Sequence, residues 1–131
     1  HLSSEFGSAL TVHDRRQMPK YGYRAVHAII RETHHRFEIQ IRTIGQDVWA
    51  NIVERLADHF GIEIKYGGGS AGLQEALLSL SATTAEYDIA IDECRAAHAR
   101  GDFATANKAL DKADTALGEM QRQSADLGKH I

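Results

Sequence analysis

Cysteine is nearly missing from this chain. Cys94 is the single one, so no internal disulfide can form and nothing points to an oxidising compartment. A basic excess is missing too. Fifteen Lys and Arg face eighteen Asp and Glu, a formal charge of −3, which leaves no surplus to neutralise a phosphate backbone, so nucleic acid is not the expected partner. No apolar run approaches the roughly 18 residues of a spanning helix, and no membrane role is expected. Residues 1–10 lack the charged and apolar regions of a secretory signal. Their small polar character reads as an expression remnant ahead of the fold, and the expected compartment is the cytoplasm.

What is present suffices for one modest core, or a small core carrying a helical element: 131 residues, 43% hydrophobic and 25% charged. The character changes near Lys65-Tyr66-Gly67-Gly68-Gly69-Ser70. Aromatic, β-branched and histidine residues dominate before it, and an alanine-rich stretch without tryptophan or proline follows. Residues 1–70 hold nine Lys/Arg and eight Asp/Glu against six and ten in residues 71–131, so the acidity sits in the second half.

In the first half, Tyr23 to Ile30 and Phe37 to Thr43 read as strands, joined by the polar Glu32 to Arg36 into an antiparallel hairpin. Leu10 to Asp14 is a candidate third strand. Period-two alternation puts Phe37, Ile39 and Ile41 on one face and Glu38, Gln40 and Arg42 on the other. It also groups Tyr23, Ala25, His27 and Ile29 against Arg24, Val26, Ala28 and Ile30. A helix follows over roughly Gly45 to Phe60, with Val48, Ile52, Leu56 and Phe60 as its apolar stripe and Gly61 as its stop.

In the second half, Leu73, Leu77, Leu80, Thr84, Tyr87, Ile91, Cys94 and His98 are spaced four and three apart, a heptad seam with Thr84 and His98 as weak positions. Asp102, after Arg100-Gly101, is placed to cap a second helix. Phe103, Ala106, Leu110, Ala113, Leu117, Met120, Ser124 and Leu127 repeat the spacing there. Two seams across a tight turn predict an antiparallel helical hairpin. The expected class is therefore α+β: an antiparallel hairpin or sheet with a flanking helix over 11–69, then a long helical hairpin over 70–131.

The chemistry concentrates in Phe37-Glu38-Ile39-Gln40-Ile41-Arg42-Thr43. A carboxylate, an amide and a guanidinium in a row can position a hydroxyl, a metal or phosphates, while a solvated sheet face with a cross-strand ion pair is the plainer reading. Tyr23 can stack a base and His27 can donate to phosphate; singly, they also fit a half-buried sheet aromatic and a structural histidine. Gly22 is either a turn residue or a place where a ligand nears the backbone. His34-His35 reads as a polar turn, Trp49 as a core anchor, Cys94 as inert packing. Gly67 to Gly69 lacks the Lys-Ser/Thr of a P-loop and reads as a hinge or linker.

Three ordered blocks are more specific than any of these alone: Pro19-Lys20-Tyr21-Gly22-Tyr23-Arg24-Ala25-Val26-His27, Glu38-Ile39-Gln40-Ile41-Arg42-Thr43, and Gln46 with Trp49-Ala50. Asp14-Arg15-Arg16 precedes them and Lys65-Tyr66-Gly67-Gly68-Gly69 follows. Over about residues 12 to 69 the chain resembles the carboxyl-terminal half of the RelA/SpoT alarmone synthetase domain. That resemblance implies a nucleotidyltransferase-like fold and a GTP pyrophosphokinase, which transfers pyrophosphate from ATP to the 3′-hydroxyl of GDP or GTP with Mg²⁺. It implies that Tyr23 stacks guanine and His27 reaches the acceptor's phosphates. Glu38 would be a catalytic carboxylate that orients or deprotonates the hydroxyl and helps hold Mg²⁺. Lys20, Arg24, Gln40 and Arg42 would contact substrate, with Arg42 equally suited to pairing with Glu38. A hydroxyl is a poor nucleophile at neutral pH, and a transferred pyrophosphoryl group needs cations, so the chemistry asks for these residue types.

Two departures from the family pattern stand out. Tyr21 replaces an asparagine that many members carry before the Gly-Tyr pair. The upstream Asp-x-x-Gly-x-Arg segment, with its metal-binding aspartate and ATP-binding cations, is missing, and Asp14 lies too close to stand in for it. The expectation is a guanine-nucleotide acceptor half that is inactive alone, with the hairpin as a homo-oligomer contact. A non-catalytic interaction module, or a variant acting on tRNA, are the alternatives.

Overall fold

The computed structural model describes residues 1–129. Its elements run α1 (Leu2–Phe6), a 3-10 turn (Gly7–Ala9), β1 (Leu10–Asp14), β2 (Val26–Glu32), β3 (His35–Ile41), α2 (Ile44–Phe60), a second 3-10 turn (Ile62–Tyr66), α3 (Ala71–Ala99) and α4 (Phe103–Gly128). The class is α+β. Residues 2–9 are helical and Leu10 pairs with Ile30 in β1, so the fold takes in the stretch that composition sets apart as a remnant.

The three strands form one antiparallel sheet, ordered β1-β2-β3. The β2–β3 register pairs His27 with Gln40 and Ile29 with Glu38. Both strands extend further into polar sequence than alternation suggests, and only Thr33 and His34 make the turn. Tyr23 to Ala25 lie before β2, in a loop held by a Lys20–Tyr23 bridge.

The apolar face of β3 is not a core face. Phe37, Ile39 and Ile41 are 53%, 41% and 49% exposed. The helices pack toward the opposite face, where Tyr23 meets Trp49, and no described element covers this one fully. The main core cluster is instead Trp49, Ala50, Val53, Leu56 and Ala57 of α2, with Ile64, Leu77, Leu80, Met120 and Leu127, and of the sheet Ala28, Ile29 and Ile30 of β2 are also buried. Each fully buried leucine there contributes about 1.5–3 kcal/mol by transfer from water.

Helix α2 begins in a capping box. Gln46 N–H donates to Thr43 Oγ1 at 3.2 Å, and Thr43 N–H donates to Gln46 Oε1 at 3.2 Å. Gly61 ends it at φ 111°. Of the predicted stripe, Leu56 is fully buried and Ile52 packs against the core, while Val48 and Phe60 are exposed and Trp49, Val53 and Ala57 turn inward beside them. Trp49 decides this, because its large ring is sunk and its Nε1–H donates to the Leu77 carbonyl at 2.9 Å.

The helical hairpin forms as predicted, with Asp102 capping α4 by accepting from Thr105 N–H at 3.1 Å. Its seam is built from smaller residues. Ala106, Ala109, Ala113, Ala116, Met120 and Leu127 are buried on α4, whereas Phe103, Leu110 and Leu117 are exposed. On α3, Ala90 and Ala97 are buried in the distal half, and His98 is exposed. Small side chains let two backbones approach closely, and the larger ones are displaced to the flank. The glycine run is no linker. Gly68 N–H donates to the Glu63 carbonyl at 2.8 Å, and Gln74 Nε2 donates to Gly68 O at 2.6 Å. A Cβ on Gly69 would come within 2.5 Å of Ile64 Cδ1, so the run is a packed turn.

Candidate functional site

Between the polar face of the sheet and α2 lies a cavity of about 440 Å³. His27, Gln40 and Arg42 line it from the strand side, Trp49, Ala50, Val53 and Glu54 from α2. Arg15, Lys20, Tyr21 and Tyr23 close it from the β1–β2 connection, and Lys65 and Tyr66 from the turn after α2. The walls combine aromatic rings with cations.

Tyr23, His27 and Glu38 stand in one hydrogen-bonded line. The His27 Nδ1 contacts Glu38 Oε1, and His27 Nε2 lies 2.9 Å from the Tyr23 hydroxyl. The histidine bond holds the Glu38 carboxyl below its ordinary range, against a smaller opposing effect of desolvation and with help from Gln40. An ionised carboxylate has no proton to give, so Nδ1 must donate to it. With a neutral ring, Nε2 then accepts from Tyr23 O–H. Gln40 Oε1, 3.3 Å from that hydroxyl, is the alternative acceptor when the ring is an imidazolium. One phenolic proton thus has two acceptors, and its position follows the charge on His27. Glu38 itself does not line the cavity; it stands behind His27, which does.

Of the two roles given to Arg42, the pairing with Glu38 does not form, while Arg42 does line the cavity. Glu38 sits four residues away along the strand, about 14 Å, too far to pair. The Arg42 guanidinium reaches Asp47 Oδ1 at 3.4 Å, donates to the Tyr23 hydroxyl at 3.2 Å and to Gln40 Oε1, and lies 5.4 Å from the Tyr23 ring centre. Arg36, 3.9 Å from Oε2, is the cation nearest Glu38. Arg24 points away from the cavity: its Nε donates to Ser81 Oγ at 3.1 Å and its Nη1 to the Arg16 carbonyl. The expected substrate contact is a tie between the loop and α3. Lys20 lines the cavity and lies 5.5 Å from the Tyr21 ring centre.

Gly22 serves packing and not ligand approach. At φ +84°, a Cβ there would fall 2.9 Å from Trp49 Cζ2 and 3.2 Å from Ser81 Cβ. Tyr21 is the one non-glycine residue at positive φ among those described, at 53°. Asparagine tolerates that left-handed conformation better than a bulky residue. The Tyr21 ring is placed so that a Cβ on Gly67 would meet it at 2.9 Å.

Arg15, Tyr21, Glu54, Lys65 and Tyr66 are lining residues that motif reading did not assign. Glu54 and Lys65 form an ion pair across eleven residues, which no local spacing announces. Behind the site, Asp88 of α3 accepts from Thr43 Oγ1 at 3.0 Å and Gln46 Nε2 at 2.8 Å, pinning the start of α2 to the hairpin. Burial raises its carboxyl above the ordinary range despite both bonds.

The donor set suits Mg²⁺ poorly. Among the described residues no three His, Cys, Asp or Glu side chains converge, and Glu38 is one carboxylate already engaged by an imidazole. The described residues do not by themselves make a metal site. Nor is any helix among them long and apolar enough to cross a membrane.

No family model and no solved structure matches the chain. Sequence relatives are found among uncharacterized proteins of Mycobacterium tuberculosis and Mycobacterium bovis, each 48% identical over 66 residues. The match covers 50% of this chain and 24% of each relative, so the chain is similar to about a quarter of a longer mycobacterial protein.

Proposed function

We propose that the chain is the guanine-nucleotide acceptor half of an alarmone synthetase of the RelA/SpoT type. One observation carries this reading: Tyr23, His27 and Glu38 are joined in a line on one face, beside a cavity walled by rings and cations. Arg15, Lys20 and Arg42 are the cations available to phosphate, and Trp49, Ala50 and Val53 offer an apolar floor for a base. His27 donates to phosphate when protonated, and the ionised Glu38 keeps its ring oriented. Glu38 accepts a proton from a hydroxyl only if that hydroxyl displaces or bridges past His27. The chain alone transfers nothing, because one engaged carboxylate cannot supply the charge stabilisation the transfer needs. Magnesium, with a carboxylate from elsewhere in a longer protein, would complete the centre.

Titration with fluorescent GDP and GTP, beside labelled tRNA, tests this. Guanine nucleotide should bind, and Tyr23→Ala should weaken it by roughly 1–3 kcal/mol if the ring stacks a base. An unchanged affinity, or tRNA binding in place of nucleotide, defeats the acceptor reading.

A second reading concerns the hairpin. Phe103, Leu110 and Leu117 recur every seven residues on α4 and are exposed, which favours a self-association edge. Sedimentation should show dimers that Leu110→Gln with Leu117→Gln returns to monomers; a monomeric parent chain ends this reading.

A further inference from the structure

We infer that the Glu54–Lys65 ion pair reads the edge of the bound base and selects guanine over adenine; this rests on the acceptor reading above. Both residues line the same cavity as Tyr23. Lys65 Nζ donates to Glu54 Oε2, which leaves Oε1 for a donor from outside the chain.

The position fits a base edge. Arg42 marks the strand end of the cavity and is bonded to Asp47 of α2, which lies outside the lining, and Glu54 follows Asp47 by seven residues, about 10 Å along the helix axis. Between them the floor is Trp49, Ala50 and Val53, apolar and without a polar group to read a base. A ring lying on that floor beside Tyr23 therefore has phosphate-binding cations toward the strands and the ion pair ahead of its edge. Tyr21 and Tyr66 stand at the same cavity.

The chemistry of the pair is complementary to guanine. A carboxylate accepts from N1–H and the exocyclic N2 amine, while the neighbouring ammonium donates to O6. Adenine reverses the pattern. It presents an amine where the ammonium stands and an unprotonated N1 where the carboxylate stands, so both groups would lose their partners. Elsewhere in the cavity wall the acceptors are committed. Gln40 Oε1 takes Arg42 and, in one protonation state, Tyr23, and the Tyr23 hydroxyl takes Arg42. Glu54 is the one carboxylate lining the cavity.

Calorimetric titration of the chain with GTP, ITP and ATP separates the contacts, because inosine lacks only the N2 amine. Wild type should prefer GTP to ITP by roughly ten-fold or more, as for a hydrogen bond to a charged group. Glu54→Ala should bring the two within about two-fold, the residue of a neutral difference. Lys65→Ala should narrow ITP against ATP and leave GTP against ITP in place. Glu54 is exposed and Lys65 half-buried, so neither change opens a cavity in the core. If GTP binds in a Tyr23-dependent way while Glu54→Ala keeps the GTP to ITP ratio, the pair does not read the base, and the acceptor site stands. If wild type binds no GTP, or Tyr23→Ala changes nothing, the acceptor site itself falls.

Discussion

Replacing Gly22 by alanine should be among the most damaging single-methyl changes in this protein. The residue sits at φ +84°, a backbone conformation that costs an L side chain about 1–2 kcal/mol. The added Cβ would also fall 2.9 Å from Trp49 Cζ2 and 3.2 Å from Ser81 Cβ. Neither neighbour can yield freely. Trp49 is buried and tied to the Leu77 carbonyl, and Ser81 is buried and donates to Gly22 O. Overpacking of this kind costs about 1–3 kcal/mol, for a total of about 2–5 kcal/mol. That is a large part of the stability of a domain this size, ordinarily about 5–15 kcal/mol. Trp49 is the sole tryptophan, so urea unfolding followed by its emission reports directly on the affected contact. Gly118→Ala is the internal comparison. That glycine is inside α4 with nothing within 4 Å of its absent Cβ, so alanine should stabilise by about 0.5–1 kcal/mol. A Gly22→Ala midpoint within about 0.5 kcal/mol of wild type, the range of an ordinary surface substitution, would refute the claim that this glycine seats Trp49.

Two further outcomes concern charge. His27→Ala should return the Glu38 carboxyl toward its ordinary 4.5, because the histidine bond is the largest cause of its lowering. A side-chain carboxyl titration by NMR that shows no upward movement would separate the two residues. In wild type the lowered value means a contribution present above the unfolded value and lost as pH falls through the folded one. Asp88 has the opposite sign. Its raised value favours the fold most below 3.8, and that advantage is lost as pH rises through the folded value. Asp92 nearby adds to the rise, while Arg24 and the bonds from Thr43 and Gln46 oppose it. Asp88→Asn, which does not titrate, should gain on wild type between pH 3 and pH 7 in urea unfolding. A difference that stays constant over that interval would show that burial does not strain this carboxylate.

The parts of the fold legible in the sequence are those where one residue's chemistry decides locally. Leu10 to Asp14, Gly61 and Asp102 each take the role their type dictates, and the hairpin follows from seven-residue spacing. The parts that were not legible depend on what lies opposite. Alternation separates Phe37, Ile39 and Ile41 from Glu38 and Gln40, but cannot say which face receives α2; Trp49 and Tyr23 settle that by meeting on the polar side. Hydrophobicity ranks Leu110 and Leu117 above Ala109 and Ala116, yet close approach of α3 and α4 selects the alanines. The candidate site divides in the same way. Tyr23, His27, Gln40 and Arg42 belong to strand-like patterns and could be named from sequence. Glu54, Lys65 and Tyr66 enter because Gly61 turns the chain back after α2, so that residues eleven apart pair across the rim. Arg24 misled for a different reason. A cation beside Tyr23 in sequence faces the opposite way in the loop, and Ser81 of α3 is there to receive it. Proximity to a motif was informative for Lys20 and Tyr23, which line the cavity from the bridged loop, and failed for Arg24, whose direction no strand fixes.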